Sequence, residues 1–282
     1  MMLVNCNKVM LNLGCGVRTH ADWINIDWSL KLRLSNIPVL RGFVDCPSGI
    51  MIHDLRKGIP FGDTAADVVY ASHVLEHLHK NHAGSFLREI HRVLKPGGTV
   101  RIVVPDLEAA VRKYLDALMA VRDGNTDQES IDRYEWATIF LLDQMVRTTP
   151  GGEMSRWIRE KQNSTVVGSF EGTLQEIAKS ISSGCERSGF KQRLSALLRP
   201  ENPDSTGELH RWMYDVFSLQ QLLQSNGFSD VKRVSHLESR IEGWMNYHLD
   251  NNNDSTPHQP DSIWMEGTKG DSAFRGIKET GL

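Results

Sequence analysis

The sequence predicts an α/β fold built on a mostly parallel sheet. Short apolar runs read as strands, helical stretches stand between them, and a Gly-rich turn follows the first run directly. Strands that alternate with helices run parallel and are covered on both faces. A chain of 282 residues accommodates one large domain, or one domain with a substantial insertion.

Val9, Met10 and Leu11 open a buried strand that closes on Asn12-Leu13-Gly14-Cys15-Gly16. Gly14 and Gly16 let the backbone turn sharply and let a ligand approach with no Cβ in the way. Ile24-Asn25-Ile26-Asp27 reads as a second strand ending in a carboxylate. A Gly-rich turn after one strand and an acid ending the next suit an adenosine-containing ligand, with the acid on the ribose hydroxyls. Val17-Arg18 stands where a dinucleotide fingerprint carries its third glycine, and hardly any helix fits before Asp27. A pyrophosphate would lack its helix N-terminus, so a ligand without phosphate fits better.

Ile52-His53-Asp54-Leu55 reads as a short third strand and Ala66 to Ser72, rich in β-branched and aromatic residues, as a fourth. A helix follows with Phe86, Leu87, Ile90, Val93 and Leu94 on one face, and Lys95-Pro96-Gly97-Gly98 stops it. Thr99 to Val104 is the fifth strand, ending at Pro105-Asp106.

In this order the words resemble class I S-adenosylmethionine-dependent methyltransferases of the small-molecule type. Leu11 to Gly16 is similar to that superfamily's first motif, Asp27 to its ribose-binding acid, and Asp54-Leu55 to the pair that reads adenine. Ser72-His73-Val74-Leu75-Glu76-His77-Leu78 and Leu94-Lys95-Pro96-Gly97-Gly98 resemble its later motifs. Two departures stand out: Asn12 replaces an acid often found in the first motif, and the segment before Asp27 is short. The resemblance implies a Rossmann-like, mostly parallel seven-stranded sheet with an antiparallel last strand. It implies S-adenosyl-L-methionine as cofactor, held by Asn12, Leu13, Gly14, Cys15, Gly16, Asp27, Asp54, Leu55, Ser72 and His73.

Beyond residue 106 the pattern turns helical. Leu107, Val111, Tyr114, Leu115 and Leu118 form an apolar stripe, broken at Asp123-Gly124-Asn125. Thr126 with Glu129 reads as a capping box opening a second helix, whose apolar positions include Tyr134, Ala137, Ile139, Phe140, Leu141, Leu142 and Met145. Thr173 with Glu176 repeats the box, and a further helix is expected through Leu194, Leu197 and Leu198 to Pro200. Ser218 with Gln221 is another box, Leu219, Leu222 and Leu223 form a helix face, and Gly227 ends it. Phe228 to Val234 and Ser262 to Thr268 read as closing strands. The expected organisation is a cofactor-binding half over 1–106, a helical insertion over 107–209, a return to the sheet over 210–269, and a tail over 270–282. Such insertions cover the acceptor pocket in the superfamily, so this one is expected to serve as a lid.

Composition fits a soluble enzyme, with 40% hydrophobic and 24% charged residues. A net charge of −3 and no long basic run argue against a nucleic-acid partner. The four cysteines, Cys6, Cys15, Cys46 and Cys185, show neither paired metal spacing nor a disulfide framework, as expected of reduced thiols in a cytoplasmic protein. No apolar run reaches transmembrane length.

His210-Arg211-Trp212-Met213-Tyr214-Asp215, Glu238-Ser239-Arg240-Ile241 and Tyr247-His248-Leu249-Asp250 resemble a subgroup of bacterial methyltransferases encoded with surface-polysaccharide genes, as do Leu142-Asp143-Gln144, Arg147 and Gly151-Gly152. The resemblance implies O-methylation of a sugar hydroxyl in a surface glycan or its precursor. N- or C-methylation of another small metabolite, methylation of protein or nucleic acid, which the absence of a basic stripe disfavours, and a cofactor-binding scaffold without turnover stay open. A hydroxyl acceptor calls for a base. His73, Asp106 and His210 are the candidates; His77, beside Glu76, competes for the role but reads more readily as a packing or hydrogen-bonding residue. Arg147 and Arg211 suit an anionic acceptor group, and Trp212, Tyr214 and Trp244 suit a sugar face. His73-x-x-Glu76-His77 also offers nitrogen and oxygen donors suited to zinc or manganese, but the sequence reading assigns no metal.

Overall fold

The computed structural model describes residues 8–29, 32, 48–149, 151–182 and 209–270. Cys6, Cys46, Cys185, the helix expected through Leu194 and the tail beyond residue 270 lie outside the described residues, as do the side chains of Thr173 and Glu176.

Seven strands form one sheet: β1 (Met10–Leu13), β2 (Ile24–Asp27), β3 (Ile50–Ile52), β4 (Ala66–Ser72), β5 (Leu94–Pro105), β6 (Phe228–Val234) and β7 (Ser262–Lys269). Their order is β3-β2-β1-β4-β5-β7-β6. β1 to β5 pair in parallel, and β7 is inserted antiparallel to both β5 and β6. The strand order reverses between β1 and β4, and the carboxyl ends of those strands flank the crevice where open α/β sheets bind ligands.

The third strand is shorter and earlier than the sequence suggests. Asp54 leaves the ladder because its carboxylate accepts from the Arg56 backbone N–H, capping a 3-10 turn over Leu55–Lys57.

Helices α1 (Lys80–Val93) and α2 (Leu107–Arg122) follow β4 and β5. α1 seats Phe86, Leu87, Ile90 and Val93 on one sheet face, together with Leu11, Val69, Ile102 and Ile263. The opposite face holds Trp23, Tyr70, Val103, Ile241 and Trp244. At its centre lies Arg101, fully buried on β5 and paired with Asp250 at 2.7 Å and Glu266 at 2.8 Å. Its remaining N–H groups donate to the carbonyls of Ser235 and Glu238, and its guanidinium lies 4.4 Å from the Trp244 ring centre. A buried cation persists only with its donors satisfied in this way.

The expected insertion contains α3 (Gln128–Val146), α4 (Gly152–Glu160), the single turn α5 (Thr165–Gly168) and α6 (Gly172–Ser182). Trp157, Ile158, Val166, Val167 and Phe170 give it a small core of its own. Thr126 does not cap α3. Asp127 does, accepting from Ser130 N–H at 2.9 Å, because a carboxylate is a stronger acceptor next to the helix N-terminus. Leu142 and Met145 are exposed on α3.

The chain re-enters the sheet through α7 (Val216–Ser225). Its capping box is Asp215 with Ser218, one turn earlier than the expected Ser218 with Gln221. Asn226 is the C-cap and Gly227, at φ 93, takes the left-handed position after it.

Candidate functional site

The Gly-rich turn leaves β1 at the crevice. Gly14 N–H and Cys15 N–H both donate to Ile26 C=O, which folds the turn over the end of β2. Gly14 has φ +66, and a Cβ there would run into the Val74 side chain, so the turn and the loop after β4 are packed together. Gly16 has φ +52 and open space where a Cβ would stand.

Asp27 ends β2 and is 8% exposed. Its carboxylate accepts from Gly16 N–H at 2.8 Å and Ser29 N–H at 2.6 Å, tying it to the turn. Asn12 is buried, and its amide donates to Arg18 C=O and to Asn25 Oδ1. It shapes the turn from below, with no donor left over for a ligand. Leu13 is fully buried, and Leu55 packs partly buried against the same core. The Cys15 thiol is pushed up to about 12, by burial first and by the Asp27 charge second, so it stays protonated and inert. The Asp54 carboxylate is held by Arg56 through Nε at 2.8 Å and Nη2 at 2.9 Å, and that hydrogen-bonded pairing lowers its pKa.

The loop after β4 carries the second group of residues. Ser72 ends the strand and His73 follows with φ +53, a strained position for a side chain of this size. His73 Nε2 lies 3.2 Å from Ser262 Oγ at the start of β7, and Nδ1 lies 3.0 Å from Glu76 Oε1. Glu76 is fully buried. Burial opposes its charge, but His73, His77 and His210 outweigh it and hold the carboxyl at about 2.

His210 is 5% exposed and packs edge-on against His77, with ring centres 5.0 Å apart. Burial pushes its pKa down to about 4, so it is neutral at physiological pH. Its position is set by the backbone: His210 N–H donates to Gln144 C=O on α3, and Arg211 N–H and Trp212 N–H donate to Glu76 C=O. Tyr214 OH is buried nearby, its pKa pushed up to about 12 by burial and by the Glu76 charge.

The candidate residues therefore separate. His73 and His210 converge on Glu76. Asp106 does not join them: it N-caps α2, accepting from Ala109 N–H at 3.2 Å, and contacts Arg233 at 3.4 Å. Arg147 pairs with Asp143 at 2.6 Å across one turn of α3. Asp143 also accepts from Glu153 N–H at 2.8 Å, and a Cβ on Gly152 would strike its carboxylate. The Asp143, Arg147 and Gly151-Gly152 words thus build the joint between α3 and α4. Trp244 is a core residue, whereas Trp212 is 37% exposed with Lys80 Nζ 4.3 Å over its ring. Ser262 and His258 escaped the sequence reading. His258 stands against Arg18, with Arg18 Nε 3.0 Å from its Nε2, and no spacing in the sequence marks either residue.

A cavity of about 810 Å³ opens at the other end of the strands, between Lys8, Asp67, Lys95 and Arg240, away from the crevice. Among the described residues, no helix is long and apolar enough to cross a membrane.

Residues 11–102 match a family model described as a methyltransferase domain. This part of the sheet is a methyltransferase domain. The uncharacterised protein YafE of Escherichia coli (strain K12) is 28% identical over 110 residues, covering 36% of this chain and 51% of that protein. The chain thus spans about half the length of that curated relative. Solved structures similar to the methyltransferase domain and its extension include an S-adenosylmethionine-dependent methyltransferase from Archaeoglobus fulgidus, 13% identical with a TM-score of 0.39, covering 93% of this chain and 86% of that one. The YcgJ protein from Bacillus subtilis is 11% identical with a TM-score of 0.39, covering 94% and 93% of the two chains. A possible histamine N-methyltransferase from Thermotoga maritima is 13% identical with a TM-score of 0.39, covering 93% and 82%. The seven-stranded order with its antiparallel β7 is the mostly parallel, Rossmann-like sheet that the sequence predicts.

Proposed function

We propose that this protein transfers a methyl group from S-adenosylmethionine to a sugar hydroxyl of a surface glycan or its precursor. The observation that carries the reading is the His73 imidazole, held between Ser262 Oγ and the Glu76 carboxylate beside the crevice.

The donor supplies a methyl on a positively charged sulfur, which an incoming nucleophile displaces in line. The open approach over Gly16, with the Asp27 carboxylate behind it, suits the adenosyl part of that molecule. Asp54 and Leu55 are the proposed adenine contacts, and Ser72 and His73 line the side of the methyl group. Glu76 fixes the orientation of the imidazole at 3.0 Å, and His73 takes the proton of the acceptor hydroxyl as the methyl is transferred. The helices over 107–209 are proposed to cover the acceptor and exclude water. The glycan class rests on the resemblance of the His210 to Asp215 and Tyr247 to Asp250 words to methyltransferases of surface-polysaccharide gene clusters. Exposed Trp212 offers a ring for a sugar face.

Purified protein is incubated with methyl-labelled donor and a bacterial lysate, and label is counted in glycan, protein, nucleic-acid and small-metabolite pools. Label in the glycan pool that disappears with Asp27→Ala supports the reading. Label in the small-metabolite pool alone gives N- or C-methylation of a metabolite in its place. Donor binding without label in any pool gives a cofactor-binding scaffold.

A further inference from the structure

Glu76, His77 and His210 each offer one metal-ligating atom, and these atoms lie within 4.8 Å of one another. They come from two parts of the chain: Glu76 and His77 from the loop after β4, and His210 from the segment returning toward α7. We infer that these three residues bind one divalent transition-metal ion of the zinc or manganese class.

Three observations beyond proximity carry the inference. First, Glu76 is fully buried, yet its Oε2 has no hydrogen-bond partner among the described residues and its Oε1 faces only His73 Nδ1 at 3.0 Å. A buried carboxylate in that state lacks part of its solvation, and a cation supplies it. Second, His210 Nδ1 is also buried without a partner, in a side chain 5% exposed. Third, His77 Nδ1 lies 3.1 Å from Leu209 C=O, which fixes the proton on Nδ1 and leaves the Nε2 lone pair free. Metal-bound histidines are oriented in this way, by the hydrogen bond their other nitrogen makes.

The donor set selects the ion. Two imidazoles and one carboxylate favour zinc or manganese over magnesium, which prefers oxygen. The same set with a fourth position open is found in catalytic zinc sites. The backbone is already arranged for it, because Arg211 and Trp212 N–H groups clasp Glu76 C=O and hold the two segments together. His73, beside Glu76 and outside the ligand set, orients the carboxylate. In sequence, His73 stands as the third donor beside Glu76 and His77; the fold brings His210 to that position instead.

The binding itself does not depend on which acceptor is methylated. A use for the ion, lowering the pKa of an acceptor hydroxyl bound at the open position, rests on the methyl-transfer reading above.

The test uses the untagged full chain, stripped with a chelator and titrated with Zn²⁺ against a chromophoric competitor, with Co²⁺ absorption reporting the ligand geometry. One equivalent is expected to bind, with affinity lowered about 10-fold or more in His77→Ala and in His210→Ala. It is expected unchanged in His79→Ala/His82→Ala, which removes an exposed edge-on histidine pair able to chelate adventitiously. Circular dichroism checks each fold, and His77→Gln, at a less buried position, serves if His210→Ala fails to fold. Absence of stoichiometric binding, binding that survives loss of His77 and His210, or binding lost only with His79 and His82 overturns the site. The titration contains no methyl donor, so its failure is separate from a failure of the methyl-transfer reading.

Discussion

His73 Nδ1 and Glu76 Oε1 are 3.0 Å apart, and the imidazole's other nitrogen reaches Ser262 Oγ at 3.2 Å. This pairing joins the loop after β4 to the start of β7 and leaves one ring, 23% exposed, aimed by two partners. A proton-accepting role makes a specific demand. His73→Asn is expected to lower kcat by about 10²- to 10⁴-fold while donor affinity stays within a few-fold. Single-turnover kinetics with equilibrium donor binding measure both; unchanged kcat would leave orientation as the source of the acceleration.

Gly14→Ala is expected to weaken donor binding and stability together. The left-handed φ costs a β-carbon about 1–2 kcal/mol, and the new methyl also meets Val74. Adding Val74→Ala relieves the contact but not the backbone strain, so the double variant should recover part of the loss. Thermal unfolding with and without donor reads this; no recovery would mean that the turn and the loop after β4 are not coupled.

Arg101→Met is expected to destabilise the fold by about 3–5 kcal/mol, because Asp250 and Glu266 then remain buried with their shared cation gone. The measurement is the urea midpoint. A shift below about 1 kcal/mol would show that the carboxylates simply take up protons at no cost.

Acid should weaken the protein before its carboxylates titrate. Burial, then the charge of Arg18, then that of His73, hold His258 at about 4, below its ordinary value of 6.5. Between those values the unfolded chain binds the proton and the folded chain does not, so stability falls as pH drops from 6.5 toward 4. His258→Gln removes that linkage, and its stability profile over the same window should be flatter. An identical slope in the variant would assign the acid loss to other groups.

Asp143→Ala is expected to loosen α4 from α3, since one carboxylate receives both Arg147 and Glu153 N–H. Loss of a buried acceptor that serves two donors costs about 1–3 kcal/mol. Hydrogen exchange should rise in residues 151–160 and stay unchanged in β1 and β4; uniform exchange would refute a local joint.

Most of the sheet was legible in the sequence because strand, turn and helix signals are local. Apolar runs gave β1, β2, β4 and β5 nearly in place, and Gly14, Gly16 and Asp27 were visible as a set through their order. Cap positions were less so: Asp127 and Asp215 took the roles expected of Thr126 and Ser218, because neighbouring polar residues compete for the same N–H groups. Asp106 and Arg147 looked available for chemistry on paper, yet a helix cap and an ion pair occupy them.

By itself, then, the sequence determined the α/β class, the glycine turn, the acid ending β2 and the histidine-rich word after β4. Each depends on residues within one or two elements. Tertiary structure decided which polar groups meet. It set Ser262 against His73, brought His210 to Glu76 and His77, and buried Arg101 between Asp250 and Glu266. Those partners lie far apart along the chain and carry no periodic signal. They meet because β7 inserts beside β5 and the chain returns from its helices past Glu76, where burial sets the demand for partners.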